Sequence, residues 1–328
     1  MFWGMNTKLM LIAAGRGDWF TRADANASGY TDADIHRRMT AGRWIRLTRG
    51  AYAQPGSEVA SMAAWDRAAW LHRRAAKAVY HRLAGRAVVS HQSALLLYGV
   101  QVSELDLRRV HVTRVSGLGR SGSTVCQHAA RPPVVESVEQ DGVRVTHGAR
   151  AVVEAIRATS YPVAVSVVDQ ALRRRVAMAE QLTTALSLFD GRPGNNTATR
   201  AVLFADSRSE SVGESRLRVM LADLGLPSPT LQPEIRDEQG ALVARVDFLL
   251  AECGVVIEFD GAIKYRDGTP DALIAEKVRE DRLRDLGYQV VRVCWPDLAR
   301  PLDLLARIRR AIGRAQSGSI AGYVTAAQ

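Results

Sequence analysis

Two neighbouring apolar runs interrupted by acidic residues occupy residues 246–250 and residues 255–261. A short polar turn separates them, so the pattern predicts a β-hairpin. With that turn centred on residues 252 and 253, Asp247 lies opposite Glu258, and Asp260 shares their face because side chains alternate along a strand. The other face is predicted to be core because all of its residues are apolar: Val246, Phe248, Leu250, Val255, Ile257 and Phe259.

Three carboxylates on one face of this hairpin need a chemical explanation. Opposed residues on paired strands have Cβ atoms roughly 5 Å apart, and like charges at that distance are destabilising. Hard divalent cations take oxygen ligands and would offset this repulsion. We therefore predict that Asp247, Glu258 and Asp260 bind Mg²⁺ or Mn²⁺. The alternative is a salt-bridged surface on which Arg245 and Lys264 neutralise part of the acidic charge.

The segments around the hairpin predict a mixed α/β unit with the order αβββαβ. Helices are expected at residues 209–224 and 271–286, and strands at 231–235, 243–250, 255–260 and 288–295. Four separate pieces resemble the PD-(D/E)XK nuclease fold, and more narrowly its very-short-patch-repair-like endonuclease branch: ESVGESRLR, VDFLL, VVIEFDGAIKY and EKVREDRLRDLGYQVVRV. The resemblance covers roughly residues 205–300 and implies metal-dependent hydrolysis of DNA phosphodiester bonds.

The resemblance also implies roles for individual residues. Asp247 and Glu258 match metal ligands, and Glu214 on the first helix of the unit matches a further or water-mediated ligand. The metal ion would activate water and shield the charge that develops on the phosphorane. Asp260 stands where the commonest nuclease motif has Lys, so we expect it to bind metal while Lys264 reaches back to take the Lys role.

Two arginines on the predicted helix 271–286, Arg279 and Arg282, are candidates for phosphate contacts. A guanidinium group forms forked hydrogen bonds to phosphate oxygens, which suits this role. The alternative is that both arginines pair within the helix, with Glu276 or Asp285 as partners.

Residues 8–54 predict three short helices followed by a hairpin. Thr31 and Asp34 have the spacing of a capping box, which places the start of the third helix at Asp32. The stretch GYTDADIHRRMTAGRWIRLTRGAYA resembles the N-terminal winged helix of AbiEi-type antitoxins from abortive-infection toxin–antitoxin systems, and the Gly42-Arg43 and Arg49-Gly50-Ala51-Tyr52 pattern carries the match. The resemblance implies DNA as the ligand and a cognate toxin as a partner.

The basic side chains of this winged helix form the predicted DNA-binding surface. A winged helix places its third helix in the major groove and its wing along the phosphates. The alternative is that the basic side chains are only a solvated face. Five arginines lie within thirteen residues of that helix and hairpin, and we predict that they contact DNA: Arg37, Arg38, Arg43, Arg46 and Arg49.

Residues 57–190 predict an α+β middle domain. Within it, VSHQSA followed by YGV resembles the segment after the wing in AbiEi-like proteins. His91 lies in this segment and is a candidate catalytic residue, although its position beside a helix cap favours a structural role. We find no catalytic constellation here and expect a scaffold or an interaction module. The run Arg173-Arg174-Arg175 is either a phosphate contact or a solvated helix end.

Charge and cysteine content refine this picture. The 328 residues carry a formal net charge of +10, and residues 1–200 hold 27 Lys and Arg against 15 Asp and Glu. Residues 201–328 hold 17 against 19. A basic front and an acidic rear favour a protein that binds nucleic acid and also has a metal site. The alternative is that the excess of arginine reflects only the composition of an Arg-rich proteome. Three distant cysteines argue against a disulfide framework, which fits the cytoplasm, and residues 9–14 are too short to span a membrane.

The chain therefore predicts three domains and a tail: a winged helix at 1–56, the middle domain at 57–190, a nuclease-like domain at 197–316 and a flexible tail at 317–328. Two functions follow. One is a Mg²⁺-dependent DNA endonuclease, which the set Asp247, Glu258 and Asp260 favours. The other is a non-catalytic regulator of antitoxin type, which the AbiEi-like front favours. A toxin and its antitoxin fused in one chain is a third, weaker reading.

Overall fold

The computed structural model describes residues 5–102, 104–117, 119–130, 136–261, 270–315 and 323–325. The chain is a mixed α/β protein with two compact units. The first unit contains Met1–Ser160 and Arg174–Val202, and the second contains Tyr161–Arg173 and Leu203–Gln328. The predicted domains 1–56 and 57–190 therefore share the first unit, except that residues 161–173 belong to the second. No described helix combines the length and apolar character that a membrane span requires.

The front of the first unit has the predicted order of elements. Two of its three helices, α2 and α3, begin at a complete capping box, formed by Thr21 with Asp24 and by Thr31 with Asp34. A three-stranded antiparallel sheet with the order β1-β3-β2 follows them, and its first strand is a short addition that the sequence pattern does not predict. The elements are α1 (Thr7–Gly15), β1 (Phe20–Thr21), α2 (Arg22–Ala27), α3 (Asp32–Thr40), β2 (Ile45–Thr48) and β3 (Ala51–Ala53).

The rest of the first unit surrounds a five-stranded mixed sheet with the order β6-β5-β4-β8-β7. The sequence pattern predicts strands here at residues 87–89, 109–113, 124–128 and 143–146, and the observed strands lie within one residue of these positions. β7 is a further strand that the pattern does not predict. The elements here are α4 (Ser57–Ser61), α5 (Ala64–Leu83), β4 (Ala87–Val89), α6 (His91–Leu97), β5 (Val110–Arg114), β6 (Val125–Ala129), β7 (Ser137–Gln140), β8 (Val143–Thr146) and α7 (Gly148–Ile156).

Three helices follow along the chain, of which α8 belongs to the second compact unit: α8 (Tyr161–Arg173), α9 (Ala179–Ser187) and α10 (Asn195–Phe204). The predicted break at residues 190–196 falls between α9 and the first turn of α10. The remaining elements are α11 (Val212–Asp223), β9 (Thr230–Leu231), β10 (Glu234–Arg236), β11 (Leu242–Arg245), β12 (Phe248–Leu250), β13 (Val255–Phe259), α12 (Pro270–Asp285), β14 (Gln289–Val293), α13 (Pro301–Ala315) and β15 (Tyr323–Thr325).

The predicted hairpin is confirmed as β12 and β13. Phe248 pairs with Ile257 and Leu250 with Val255, which is the predicted register, and the pairing ends at Phe248, one residue after Asp247. A 3₁₀ turn makes the connection and ends at Gly254, whose φ of 60° is in the left-handed region that glycine adopts without strain. β13 also pairs in parallel with β14, which gives a four-stranded sheet with the order β14-β13-β12-β9.

Both faces of this sheet are buried, which the alternation of apolar and acidic positions did not predict. One face packs against α11 and α13 through Phe248, Ile257 and other apolar residues. The other face packs Leu249 and Val256 against Leu283 of α12. Val246, predicted on the first face, belongs to the second apolar cluster because the chain bends between β11 and β12.

Two predicted strands are each divided between two sheets. The segment 231–235 breaks at Gln232, which has a φ of 52°, and at Pro233, which has no N–H to donate. The segment 243–250 breaks at residues 246–247, so β10 and β11 pair with each other outside the four-stranded sheet. β15, from the predicted flexible tail, pairs antiparallel with β10 and supplies the hydrogen bonds that its open edge lacks.

Candidate nucleic-acid interface and acidic site

Helix α3 is positioned by its cap and by one apolar stripe. The Thr31 hydroxyl accepts from the Asp34 N–H at 3.2 Å, and the Asp34 carboxylate accepts from the Thr31 N–H at 3.0 Å. The Thr31 hydroxyl also donates to the Asp34 carboxylate at 2.7 Å. The hydrogen bonds that the hydroxyl and the N–H of Thr31 donate lower the pKa of Asp34 because they favour its charged form. Ile35 is buried, and Met39 packs beside it against the aromatic core of the front. The remaining face of α3, which includes His36 and Arg37, is exposed.

The structure places the five predicted DNA-binding arginines on α3, on the connection after it, which holds Arg43, and on the β2–β3 hairpin. Arg37 has 76% of its side chain exposed and pairs with Asp34, one turn earlier, at 3.1 Å. Arg46 and Arg49 are exposed on the hairpin, where Arg46 Nε lies 3.4 Å from the Thr48 carbonyl oxygen. Exposed guanidinium groups of this kind are accessible to a phosphate backbone.

Arg38 is held differently from these exposed arginines. Its guanidinium carbon lies 4.9 Å from the ring centre of Tyr30 and 5.2 Å from that of Trp44, so two aromatic faces fix its orientation. Trp44 is buried, and its Nε1 donates to Gln54 Oε1 at 3.2 Å. A cleft of about 300 Å³ opens beside this stack, lined by Gly29, Tyr30, Asp34, Arg37, Arg38, Ala41 and Arg43. Three of the five predicted arginines therefore converge on one concave surface.

In the second unit, the predicted acidic residues lie around the β12–β13 hairpin. The carboxylate of Asp247 accepts from the backbone N–H of Phe259 at 2.8 Å, which ties it to the neighbouring strand. The backbone carbonyl of Asp247 accepts from the N–H of Gln232 at 2.9 Å. The side-chain amide of Gln232 then points to Asp247 Oδ1 at 3.5 Å.

Glu214 approaches the same amide from α11. Its Oε2 accepts from Gln232 Nε2 at 3.1 Å and from the N–H of Glu210 at 2.8 Å. Gly213 permits this approach, since a Cβ there would lie 2.0 Å from the ring of Phe259. Burial, and after it the charge of Asp247, raise the pKa of Glu214 to about 7. Glu214 and Asp247 therefore form a pair of carboxylates around one donor.

A buried ion pair fixes α11 in this position. Arg218, one turn beyond Glu214, donates from Nη2 to both oxygens of Asp169 on α8, at 2.7 and 2.9 Å. Its Nη1 donates to the Phe204 carbonyl at 2.6 Å. The side chains of Arg218 and Asp169 are 7% and 0% exposed, so each charge is compensated inside the protein.

Glu258 is held by an arginine. Arg279 of α12 donates from Nη1 and Nη2 to the two oxygens of Glu258, at 2.7 and 3.0 Å. It also donates to Glu276, and Arg292 of β14 pairs with Glu276 and Glu280. Although burial opposes the charge of Arg279, its hydrogen bonds to the two carboxylates raise its pKa overall. Arg279, predicted to contact phosphate, and Glu258, predicted to bind metal, thus form an ion pair with each other.

Two of the other residues predicted for the acidic site contact residues other than Glu214, Gln232 and Asp247. Asp260 is half-buried at the end of β13, and its N–H donates to the Val293 carbonyl at 2.7 Å. Arg282 lies 3.6 Å from Asp237, and Lys264 lies outside the described residues. Within the described ranges, no three metal-ligating side chains that include Asp247, Glu258 or Asp260 bring their ligand atoms within 4.8 Å of one another.

Sequence reasoning missed two residues that organise this site, Gln232 and Asp169. Gln232 lies in a segment predicted to be continuous strand, and its left-handed backbone alone aims its amide between the carboxylates. Asp169 is 49 residues from Arg218, and no local pattern connects the two. Neither residue carried a signal that a single sequence could display.

Comparison with known proteins agrees with the front of the chain. Residues 8–55 match a family described as "Transcriptional regulator, AbiEi antitoxin". This region carries the exposed arginines of α3 and the β2–β3 hairpin. The resemblance to AbiEi-type antitoxins is thereby confirmed for the front domain, and the comparison contains nothing that supports or opposes the nuclease resemblance of the second unit.

Two relatives extend the likeness beyond this segment. They are uncharacterized proteins from two strains of Mycobacterium tuberculosis, each 34% identical over 165 residues. The matched stretch covers 50% of this chain and 60% of each relative. The likeness shows shared ancestry over that stretch, and the relatives' descriptions state no activity.

Proposed function

We propose that this protein is a DNA-binding regulator of the antitoxin type. The observation that carries the proposal is the set of exposed arginines on α3 and the β2–β3 hairpin, within the segment that matches the AbiEi regulator family. Helix α3 would enter the major groove, and the hairpin would lie along the phosphate backbone as a wing. Phosphate contacts of this kind supply affinity and orientation, while base contacts supply sequence preference.

The distribution of charge on α3 indicates how it would face DNA. Asp32 and Asp34 lie in its first turn, where they stabilise the helix N-terminus, and Arg37 and Arg38 lie in its last turn. Acidic groups are repelled by phosphates, so the C-terminal half of α3 and the wing would make the phosphate contacts. The stacking of Arg38 on Tyr30 and Trp44 orders its guanidinium before DNA binds, which reduces the entropy lost on binding.

The test is the salt dependence of binding to duplex DNA from the protein's own promoter. The variant Arg37→Ala with Arg49→Ala should bind more weakly than the wild type. Each phosphate contact contributes about 0.9 to the magnitude of the slope of log affinity against log salt, so the loss of two contacts should reduce that magnitude by about 1.8. The matched control is Arg309→Ala with Arg310→Ala, which removes the same charge from exposed positions of α13. Equal slopes in the two double variants would refute the placement of DNA on α3 and the wing.

A second candidate function, a metal-dependent DNA endonuclease, is favoured by Glu214 and Asp247. These two carboxylates face one amide, and the pKa of Glu214 is about 7 because burial and its acidic neighbour oppose ionisation. A divalent cation would relieve this repulsion, and carboxylate oxygens suit Mg²⁺ or Mn²⁺. Bound there, such an ion would supply charge stabilisation at a phosphate and activate water.

The residues fit this ion in part. Glu214 and Asp247 could hold it, with the Gln232 amide turned so that its oxygen faces the ion. Glu258 fits less well because both of its oxygens accept hydrogen bonds from Arg279. In this second proposal Arg279 exchanges Glu258 for a DNA phosphate, which would release Glu258 as a ligand. Asp260 and Lys264 would keep the supporting roles that the nuclease resemblance implies.

Two measurements test this second proposal separately from the first. Mn²⁺ binding, followed by the loss of its free-ion electron paramagnetic resonance signal, should be weakened by Asp247→Asn and unaffected by Asp281→Asn, an exposed carboxylate of α12. Cleavage of supercoiled DNA should require the metal, stop in EDTA, and fail in Asp247→Asn. If both variants bind Mn²⁺ equally and neither they nor the wild type cleaves DNA, the regulator proposal stands and the nuclease proposal fails.

A further inference from the structure

Three histidines of the middle region form a compact cluster that neither proposed function uses. His91 begins α6, His111 lies on β5 and His128 lies on β6. Their potential ligand atoms all lie within 4.8 Å of one another, and no other group of three metal-ligating side chains in the described residues meets that distance. Three of the seven histidines of the chain thus meet at one half-buried position.

The sheet brings two of these histidines together. β5 and β6 are parallel, with His111 opposite Cys126, so His128 lies two residues further along the same face. His111 Nδ1 lies 3.0 Å from His128 Nε2. The ring of His91 stacks on that of His128 with centres 3.8 Å apart. The N–H of His111 donates to the hydroxyl of Ser93 at 2.8 Å, which holds β5 beside α6.

A buried carboxylate, that of Glu154, lies next to the ring of His91. Glu154 of α7 is 6% exposed, and its Oε1 accepts from Arg150 Nε at 2.8 Å. Its Oε2 is buried without a hydrogen-bond partner in the described structure and lies 3.4 Å from His91 Nδ1. Metal-bound histidines commonly donate their second ring nitrogen to a carboxylate, which orients the ring. Glu154 is placed for that role, with His91 Nε2 as the ligand atom.

Two further features agree with a ligand at this position. Gln92 Nε2 lies 3.1 Å from His111 Nε2. In a metal-bound His111 that nitrogen would carry the proton, and the Gln92 amide would turn so that its oxygen accepts from it. His91 has a φ of 54°, a strained backbone for a residue with a side chain, and such strain is concentrated at functional sites.

We propose that His91, His111 and His128 bind a divalent transition-metal ion, with Glu154 orienting His91. Imidazole nitrogens suit Zn²⁺, and tetrahedral bonds of about 2.0–2.1 Å separate ligand nitrogens by about 3.4 Å, close to the separation between His111 and His128. The proton shared between those two rings leaves when the ion binds. Because the ligands come from α6, β5 and β6, the ion would clip three segments of the first unit together.

The test uses the full-length protein and Zn²⁺ alone. Competition with a chromophoric chelator should show one bound equivalent, and His128→Ala and His111→Ala should each lower the affinity by at least about 100-fold. Glu154→Gln should lower it by about 10- to 100-fold with the stoichiometry unchanged, since it removes only the orienting carboxylate. His36→Ala is the matched control, because this exposed histidine lies outside the cluster and should leave the affinity unchanged.

Thermal unfolding supplies a second readout. Saturating Zn²⁺ should raise the unfolding midpoint of the wild type and of His36→Ala, since an ion that binds only the folded state stabilises it. It should not raise that of His128→Ala, whose fold is checked by circular dichroism. Absence of one tightly bound equivalent in the wild type, or equal affinity in His128→Ala and His36→Ala, would overturn the proposal.

Discussion

Arginines of the front domain and arginines of the second unit are used in opposite ways. Arg37 and Arg49 project from α3 and the wing into solvent, and Arg37 pairs with Asp34, a half-buried neighbour on the same helix. Arg218 and Arg279 instead donate to both oxygens of the carboxylates of Asp169 and Glu258. The comparison teaches that arginine content indicates little by itself, because an exposed arginine remains accessible to a ligand, whereas a buried or half-buried one compensates a carboxylate within the fold.

The largest effect is expected for the buried pair. Arg218→Met leaves Asp169 as an uncompensated buried charge, so the free energy of unfolding in urea should fall by about 3–5 kcal/mol. The double variant Arg218→Met with Asp169→Leu removes both charges and should recover much of that loss. If the free energy of unfolding of Arg218→Met lies within about 1 kcal/mol of the wild-type value, the ion pair does not form in solution. Arg218 would then no longer contrast with the exposed arginines of the front domain.

Glu214 is expected to make stability depend on pH. Its folded pKa of about 7 exceeds the ordinary 4.5, so between those values the folded state holds a proton that the unfolded state has lost. The free energy of unfolding should therefore fall as pH rises across that window, by about 3 kcal/mol at most. Glu214→Gln removes this proton equilibrium and should be more stable than the wild type at pH 8. Glu238→Gln, an exposed position, is the control and should leave the pH profile unchanged.

Arg279→Ala should destabilise less, because its site is partly open to solvent. The change leaves Glu258 charged and without its forked partner, which should lower the free energy of unfolding by about 1–3 kcal/mol. Lys277→Ala, an exposed cation of the same helix, should have little effect. If urea unfolding gives the same small change for both variants, Arg279 does not clamp Glu258, and the acidic site is more open than the structure shows.

The smallest effect on folding is expected for the wing. Arg46→Ala removes an exposed side chain whose one hydrogen bond is long, so the free energy of unfolding should stay within about 0.5 kcal/mol of the wild type. Its affinity for promoter DNA should nevertheless fall, with a shallower salt dependence. If Arg46→Ala loses stability but keeps its affinity for DNA, Arg46 contributes to folding and does not contact DNA.

Much of the local structure could be predicted from the sequence. The capping box at Thr31 and Asp34, the register of the β12–β13 hairpin and the presence of α11 within the predicted helix 209–224 each depend on residues a few positions apart. The two strand breaks could not be predicted, because the conformation of Gln232 and the bend at residues 246–247 result from the pairing of β10 with β11 outside the main sheet.

The candidate site divides in the same way. Sequence alone indicated that Asp247 and Glu258 lie opposite each other and that the front arginines share an exposed helix and wing, because strand alternation and helix caps act over short distances. Only the tertiary structure decided that Arg279 holds Glu258, that Gln232 joins Glu214 to Asp247, and that three histidines meet. Those contacts join segments that are distant in the chain, and they exist only after packing has brought the segments together.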